Sequence, residues 1–402
     1  MRMSKKKEIV PKFRFPEFQR DGIDFVHGNK LFKSITNKNH NSDLPILAIT
    51  QDQGAVPRDQ IEYNVTVTDK SLSNYKVVEV GDFIISLRSF QGGIEYSRFK
   101  GICSPAYIIL RKREENSSEL YYKYFFKTWR YIQSLNRNLE GIRDGKMISY
   151  SQFSSVKVPY PRSFKEQQKI ADCLSSIDEL IDAENRKLKA LEKYKKGLMQ
   201  KLFPAEGKTL PEWRFPEFRG KSEWRIKPLG KICTNYDSRR IPITEKDRVK
   251  GEIPYIGASG VIDYINDFIF DEDLLCVSED GANLVARTYP IAFSISGKTW
   301  VNNHAHVLKF SHKYTQDIVE SYLNMINLQD FLTGMAQPKL NRAKLDIIPI
   351  PLPEEEEQQK IADCLSEVDK IITEQSNKVE QLKAHKKGLM QGLFPSLEEA
   401  DV

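Results

Sequence analysis

The sequence predicts an α+β chain in which two related strand-and-turn regions are joined and separated by two long helices that pair within the chain. Three observations carry this. A segment is written twice, as residues 166–204 (EQQKIADCLSSIDELIDAENRKLKALEKYKKGLMQKLFP) and 357–395 (EQQKIADCLSEVDKIITEQSNKVEQLKAHKKGLMQGLFP), at a constant offset of 191 with 23 of 39 positions identical, and such internal repetition decides architecture before any local signal does. A short arm, Arg14, Phe15, Pro16, Glu17 and Phe18, recurs as Arg214, Phe215, Pro216, Glu217 and Phe218. Between arm and segment lie regions of about 140 and 130 residues, ordinary domain sizes.

In chain order the expected parts are an arm (1–20), a first mixed region (21–163), a first helix (164–204), the arm repeat with a second mixed region (205–355), a second helix (356–396) and a tail (397–402). In the first region, residues 82–87 (DFIISL) and 106–110 (AYIIL) have the short apolar runs of buried strands; residues 274–277 (LLCV) and 306–309 (HVLK) take their places in the second. A helical stretch follows in each, residues 120–135 (LYYKYFFKTWRYIQSL) and 317–332 (DIVESYLNMINLQDFL). Both regions close on proline-punctuated edges, residues 158–161 (VPYP) and 350–353 (IPLP). The two regions therefore read as one fold with different surface residues.

The repeated segments are helical on their own periodicity. Apolar residues fall at Ile170, Leu174, Ile177, Ile181, Leu188, Leu191, Leu198 and Leu202, and again at Ile361, Leu365, Val368, Ile372, Val379, Leu382, Leu389 and Leu393, spaced by fours and threes as in a coiled-coil seam. Both seams are interrupted at the same two places, Glu184 with Gln375 and Lys195 with Lys386; polar seam residues fix register. Each segment ends in Leu-Phe-Pro, where proline stops a helix. At 1.5 Å per residue each helix is roughly 55 Å long. Two such seams can satisfy each other inside one chain; the alternative is that each stripe is buried against its own domain.

Composition bounds the function. With 402 residues, 40% of them hydrophobic, the chain can build two or three cores. No run approaches the roughly 18–20 apolar residues of a membrane span, and Lys5, Lys6 and Lys7 near the start lead into no apolar signal core, so a cytoplasmic protein with no membrane association is expected. Cys103, Cys173, Cys233, Cys276 and Cys364 form no C-x-x-C pair and read as reduced packing residues. A net charge of +6 permits an anionic partner without demanding one.

No catalytic engine is visible. Gly-Lys-Ser/Thr occurs at Gly207, Gly220 and Gly297, but the residues five places earlier, where a triphosphate-wrapping loop needs its first glycine, are Leu202, Phe215 and Ala292. No dinucleotide or methyl-donor glycine fingerprint follows a strand, and no Asn-Pro-Pro or Asp-Pro-Pro segment is present to grip an extruded base. His304 and His306 share a strand face but lack a third ligand at any telling spacing, and the acidic run Asp271, Glu272 and Asp273 reads as a solvated turn. No metal site is expected.

Readers of base edges need long donors and acceptors on loops: Arg or Lys for guanine, Asn or Gln for adenine. Residues 86–98 (SLRSFQGGIEYSR) place Arg88, Ser89 and Gln91 at a strand exit, with Arg98 further on, and Gly92 and Gly93 would let backbone approach a ligand; an ordinary glycine hairpin facing water is the alternative. Arg143 and Lys146, in the glycine-containing loop 140–150, form a second cluster suited to phosphate. In the second region Asn283 follows a strand, and Lys298, Trp300, Asn302 and Asn303 crowd donors, acceptors and an aromatic into GKTWVNNH. Arg239, Arg240 and Arg287 are placed for phosphate, while Trp300 equally suits packing beneath its loop.

These features together resemble the specificity subunits of type I restriction-modification systems. The resemblance rests on the twin EQQKIADCLS helices, on residues 349–353 (PIPLP) running into Glu357, Gln358 and Gln359, and on GDFIISLRSFQGG (81–93) and SEDGAN (278–283), and it covers nearly the whole chain. It implies two target-recognition domains, each gripping one half of a bipartite double-stranded DNA site, and an antiparallel pairing of the two helices as a spacer. It further implies a non-catalytic chain to which two modification (methyltransferase) subunits and two restriction subunits dock, with S-adenosylmethionine, ATP and magnesium held by those partners in an adenine-specific methyltransferase complex. A rigid spacer suits a non-contacted gap near one DNA turn, about 34 Å. The lead-in to the first domain, Gln19 to Asp24, departs from the family pattern that residues 223–230 (EWRIKPLG) follow. The competing reading is a coiled-coil tether that carries two interaction modules and reads no DNA.

Overall fold

The computed structural model describes residues 10–41, 43–61, 72–113, 115, 117–137, 148–334 and 337–395. The chain divides into two compact units, Met1–Glu184 with Lys378–Val402, and Asn185–Asn377. The division falls inside both long helices and not at the edges of the mixed regions, so each unit owns one mixed region, the start of one helix and the end of the other.

In the first unit a four-stranded antiparallel sheet runs in the order Phe32–Ile35, Ile108–Lys112, Phe83–Ile85, Glu95–Tyr96. Its central strand is buried on both faces, which is why it reads as a continuous apolar run. Phe83 and Ile85 point into an aromatic-rich core with Phe32, Tyr122 and Phe126, and Ile84 points the other way to Leu47, Val78 and Cys103. That second layer consists of the hairpin Leu47–Thr50 and Gly54–Pro57 and the pair Lys76–Val78 with Gly101–Cys103, linked by a parallel bridge between Ile46 and Ile102.

The second unit repeats the plan. Its main sheet runs Thr234–Asn235, Ala305–Lys309, Leu274–Ser278, Ala292–Ile295, with Leu275 and Val277 facing one core and Leu274 and Cys276 the other. The second layer is the hairpin Lys250–Gly257 and Gly260–Ile265, joined in parallel to Lys298–Val301, which pairs with Phe270–Asp271. In each unit the proline-punctuated strand closes a two-stranded ribbon, Ile23–His27 with Lys157–Pro161 and Arg225–Pro228 with Pro349–Leu352. Prolines at alternate positions in these strands all lose their N–H on one edge, which a two-stranded ribbon leaves open.

The helical stretch expected over 120–135 is two helices, Glu119–Phe125 and Trp129–Arg137. At the break between them Lys127 turns inward: its Nζ donates to the carbonyls of Gln51 and Gly92 and meets Glu95 at 2.5 Å. Its counterpart is the helix Lys313–Met325 followed by a single 3-10 turn, Gln329–Phe331, and not one helix to residue 332.

The long helices span Phe164–Leu202 and Glu355–Leu393. In the first unit Asp178 meets Lys386 and Glu184 meets Lys378, each at 2.5 Å; as one number rises the other falls, so the helices are antiparallel. In the second unit Lys195 meets Asp369 at 2.5 Å, the same pair at the offset of 191. The seam-interrupting lysines are thus partners of acidic residues across the seam. Burial resists ionisation of Asp178, but hydrogen bonds from Lys386 and Tyr124 hold its carboxyl below the usual range. Every seam position from Ile170 to Leu202 and from Ile361 to Leu393 is buried or half-buried.

Candidate nucleic-acid interface

In the second unit four connections gather at one end of the main sheet. The turn after Gly257, the loop after Ser278, the link 302–304 and the segment 337–341 are tied by Ser278 Oγ donating to the Ala258 carbonyl (2.5 Å), Asn302 N to Ile256 O (3.0 Å), Glu279 N to His304 O (2.9 Å) and Leu340 N to Glu279 O (2.8 Å). Turn residues widely separated in sequence therefore form one surface. Its exposed polar groups include Asn303, Lys339 and His304, whose Nδ1 lies 2.9 Å from Asp280.

Beneath this surface lies a buried charged network. His306 Nε2 donates to the Leu340 carbonyl (2.7 Å), which can only accept, and Nδ1 lies 2.6 Å from Asp237 Oδ2. Asp237 also accepts from the Val307 amide, and Arg240 donates to Glu279 (2.8 Å) and to the Ala305 carbonyl (2.7 Å). Burial opposes ionisation of Asp237, yet its hydrogen bond with His306 keeps the carboxyl below its ordinary range; the Arg240 bond does the same for half-buried Glu279. Asp237, Glu279 and His306 bring metal-ligand atoms within 4.8 Å of one another, but the Arg240 guanidinium already serves as the cation for the two carboxylates. His304 turns to Asp280 and does not join this group. Asp237 and Glu279 escaped the sequence reading because no local spacing relates them to His306.

Several candidate readers are committed elsewhere. Arg240 is held in the network just described. Arg287 adopts a left-handed backbone (φ 52°) and donates to the carbonyls of Leu284, Leu323 and Ile326, closing helix ends. Asn283 clamps Tyr289 through both side-chain atoms, Asn302 is buried and accepts from His304 N, and Trp300 is packed with Nε1 donating to Ile241 O at 2.6 Å. Arg239 lies over Tyr236 and Phe270 and pairs with Glu272 while keeping an exposed edge. Lys298 is exposed over Phe268, and Asn303 is exposed.

In the first unit the equivalent loop carries a short helix, Ser89–Gly92. Arg88, Gln91 and Arg98 are exposed, whereas Ser89 is buried, its hydroxyl accepting from Ser86 N (2.8 Å). The glycines are required by the protein's own packing: a Cβ on Gly93 (φ 83°) would stand 2.2 Å from the Phe126 carbonyl, and one on Gly92 would meet Gln51. Asn136 anchors the same loop by donating to Phe90 O. Arg143 and Lys146 lie outside the described residues. The second unit offers the matching loop with the short helix Asn283–Ala286, so the two units present different side chains on equivalent scaffolds.

Comparison with known proteins places this geometry. A family model described as type I restriction modification DNA specificity domain matches residues 21–193 and 221–383, one copy per repeat. The MjaVIII type I restriction enzyme specificity subunit of Methanocaldococcus jannaschii is 25% identical over 355 residues, 81% of this chain and 80% of that one. A putative type I restriction enzyme specificity subunit of Haemophilus influenzae is 33% identical over 153 residues, so that 38% of this chain and only 39% of that protein are aligned. The crystal structure of a type I restriction-modification system S subunit from M. genitalium covers 96% of this chain and 99% of its own with a TM-score of 0.59 and 15% identity. A structure from work on complex assembly and conformational transition of the type I R-M system matches with a TM-score of 0.57 at 14% identity, over 93% of this chain and 97% of that one. Among the described residues no helix is long and apolar enough to cross a membrane.

Proposed function

The chain belongs to the type I restriction-modification DNA specificity family, and on that premise we propose that it is the non-catalytic reader of a bipartite DNA site, each mixed region recognising one half. The observation that carries this is the duplicated scaffold: two units of one topology present different polar side chains on equivalent loops. In the second unit the reading surface is the loop cluster with Asn303, His304 and Lys339; in the first it is the loop of Arg88 and Gln91. Exposed lysines and arginines at its edges would meet phosphates, which position without specifying, while Asn, Gln and Arg would read base edges.

The paired helices act as the spacer and, with the mixed regions, as the platform for two modification and two restriction subunits. Methyl donor, ATP and magnesium chemistry belongs to those partners: S-adenosylmethionine with the modification subunits, ATP and magnesium with the restriction subunits. The test is methylome sequencing of cells that carry this chain with its cognate modification subunit. A two-part methylated motif with a fixed unspecified gap is expected, and exchanging residues 221–354 for those of another family member should change one half of it alone. An active modification subunit that yields no bipartite motif, or an exchange that alters both halves, would overturn the reading.

A further inference from the structure

The loop that carries Arg88 and Gln91 in the first unit is held from inside by one lysine. An ammonium has three N–H groups, and that of Lys127 finds an oxygen for each: Gly92 O at 2.9 Å, Gln51 O at 3.0 Å and Glu95 Oε1 at 2.5 Å. Gly92 ends the short helix Ser89–Gly92. Gln51 belongs to the adjoining hairpin turn, and its side chain donates to Arg88 O at 3.4 Å; Asn136 donates to Phe90 O at 2.8 Å. The loop backbone is thus fixed at residues 88, 90 and 92, while the side chains of Arg88 and Gln91 stand exposed.

The second unit fixes its equivalent loop with the polarity reversed. There the cation sits on the loop: Arg287, at the end of the short helix Asn283–Ala286, donates to the carbonyls of Leu323 (3.1 Å) and Ile326 (3.0 Å) at the close of the helix Lys313–Met325. In the first unit the cation follows the helix Glu119–Phe125 and the carbonyl is on the loop. Arg287 meets carbonyls, whereas Lys127 also meets a buried carboxylate, Glu95 at 2% exposure.

The geometry assigns Lys127 and Glu95 as the positioning pair of the first reading loop: they hold the backbone that presents Arg88 and Gln91, and so set recognition of one half-site and not of the other. The inference rests on the reading of this loop as a DNA contact. It carries a dependence on pH that the second loop lacks. Glu95 Oε2 is buried with no hydrogen-bond partner among the described residues, and burial pushes the carboxyl up to about 7 against the pull of Lys127, with Asp52 from the hairpin turn raising it further. Lys127 itself is drawn down by burial and by Lys386, and pulled up by Glu95 and Asp52. The closed loop therefore holds the Glu95 proton more tightly than an opened one, in which the carboxyl meets water. Closure is favoured at low pH, and that advantage is lost as pH rises from about 4.5 to about 7.

The test uses the full chain. Gly92 N and Gly93 N donate to Arg88 O and Ser89 O, and Arg287 N to Asn283 O, so their hydrogen exchange reports the opening of each loop without DNA. Corrected for intrinsic exchange, protection of Gly92 and Gly93 in wild type should fall roughly ten-fold between pH 5.5 and pH 7.5. It should stay flat in Glu95→Gln, whose amide oxygen still accepts from Lys127, and flat at Arg287 in both proteins. The double variant Lys127→Met, Glu95→Gln removes the ammonium without stranding a carboxylate, and its thermal midpoint is measured to confirm folding. Assembled with the cognate modification subunit, it should lose at least ten-fold in discrimination against duplexes substituted in the half-site that exchange of residues 221–354 leaves unchanged. Its discrimination at the other half-site should match wild type. Equal discrimination by the folded double variant and wild type, equal losses at both half-sites, or pH-independent protection in wild type would each overturn the inference and leave the specificity reading standing. A wild type that discriminates at neither half-site would sink both.

Discussion

At the scale of single residues, the repeated EQQ triplet acquires a purpose for each letter. Glu166 is fully buried and receives two bonds from Arg14, at 2.7 and 2.8 Å; Glu357 receives the same two from Arg214. Gln167 donates to Pro161 O and accepts from Ser118 N, and Gln358 donates to Pro353 O and accepts from Thr315 Oγ1. Gln168 and Gln359 each reach the Asp one turn on. The two sequence repeats, arm and helix, are thus two ends of one buried ion pair. Removing one member of such a pair strands the other charge, at a cost of about 3–5 kcal/mol: Glu166→Gln should lower the urea midpoint of the first unit strongly, and Arg14→Met with Glu166→Leu should recover most of the loss. Glu95 behaves differently. Burial pushes its carboxyl up to about 7 despite its bond to Lys127. Between about pH 4.5 and 7 the folded state holds the proton more tightly than the unfolded state, so this group's contribution to stability falls as pH rises through that window. The stability of wild type relative to Glu95→Gln should therefore drop from pH 5 to pH 7.5, read from urea midpoints; a pH-independent difference would contradict it.

At the scale of elements, the long helices are governed by two periodicities at once. The apolar seam buries Leu174 in the first core and Leu365 in the second, while Asp178 with Lys386 and Lys195 with Asp369 set the register along the pair. Each helix is continuous through both units, so its length is a structural constant, and one heptad is roughly 10.5 Å. Inserting a heptad into both helices at the same seam position should preserve pairing and change the tolerated gap in the methylated motif; an unchanged gap would remove the helices from that role. The break at Lys127 shows why the neighbouring helix could not be read correctly: nothing in LYYKYFFKTWRYIQSL announces that one lysine will turn inward to Glu95.

At the scale of the molecule, the chain is built as a repeat that nearly closes on itself. Phe13 N donates to Gly392 O at 2.8 Å, and Trp213 N donates to Lys201 O at 2.9 Å; Gly392 and Lys201 are one position at the offset of 191, and Phe13 and Trp213 are one position of the arm. In the second unit the arm follows the first helix directly, whereas in the first it packs on the end of the second helix from the other side of the sequence. A chain opened between Pro204 and Leu210 and joined from Pro395 to Val10 by a linker of similar length should therefore fold with a thermal midpoint within a few degrees of the parent. A molten or aggregated permutant would show that the two junctions are not equivalent.

The sequence by itself determined the duplication, both helices with their seam, the buried strands and the repeated arm, because these rest on periodicity and identity within short windows. Placement of polar loop residues was a matter for tertiary structure alone. Arg240, Arg287, Asn302 and Ser89 have the chemistry of readers, yet a carboxylate and backbone carbonyls from distant segments claim the two arginines, and folding buries Asn302 and Ser89, which accept from the nearby amides of His304 and Ser86. Asn303, Gln91 and Arg88, of the same chemistry, are left at the surface. A buried polar side chain must be satisfied, and which partners lie within reach depends on contacts across tens to hundreds of residues that no local pattern encodes.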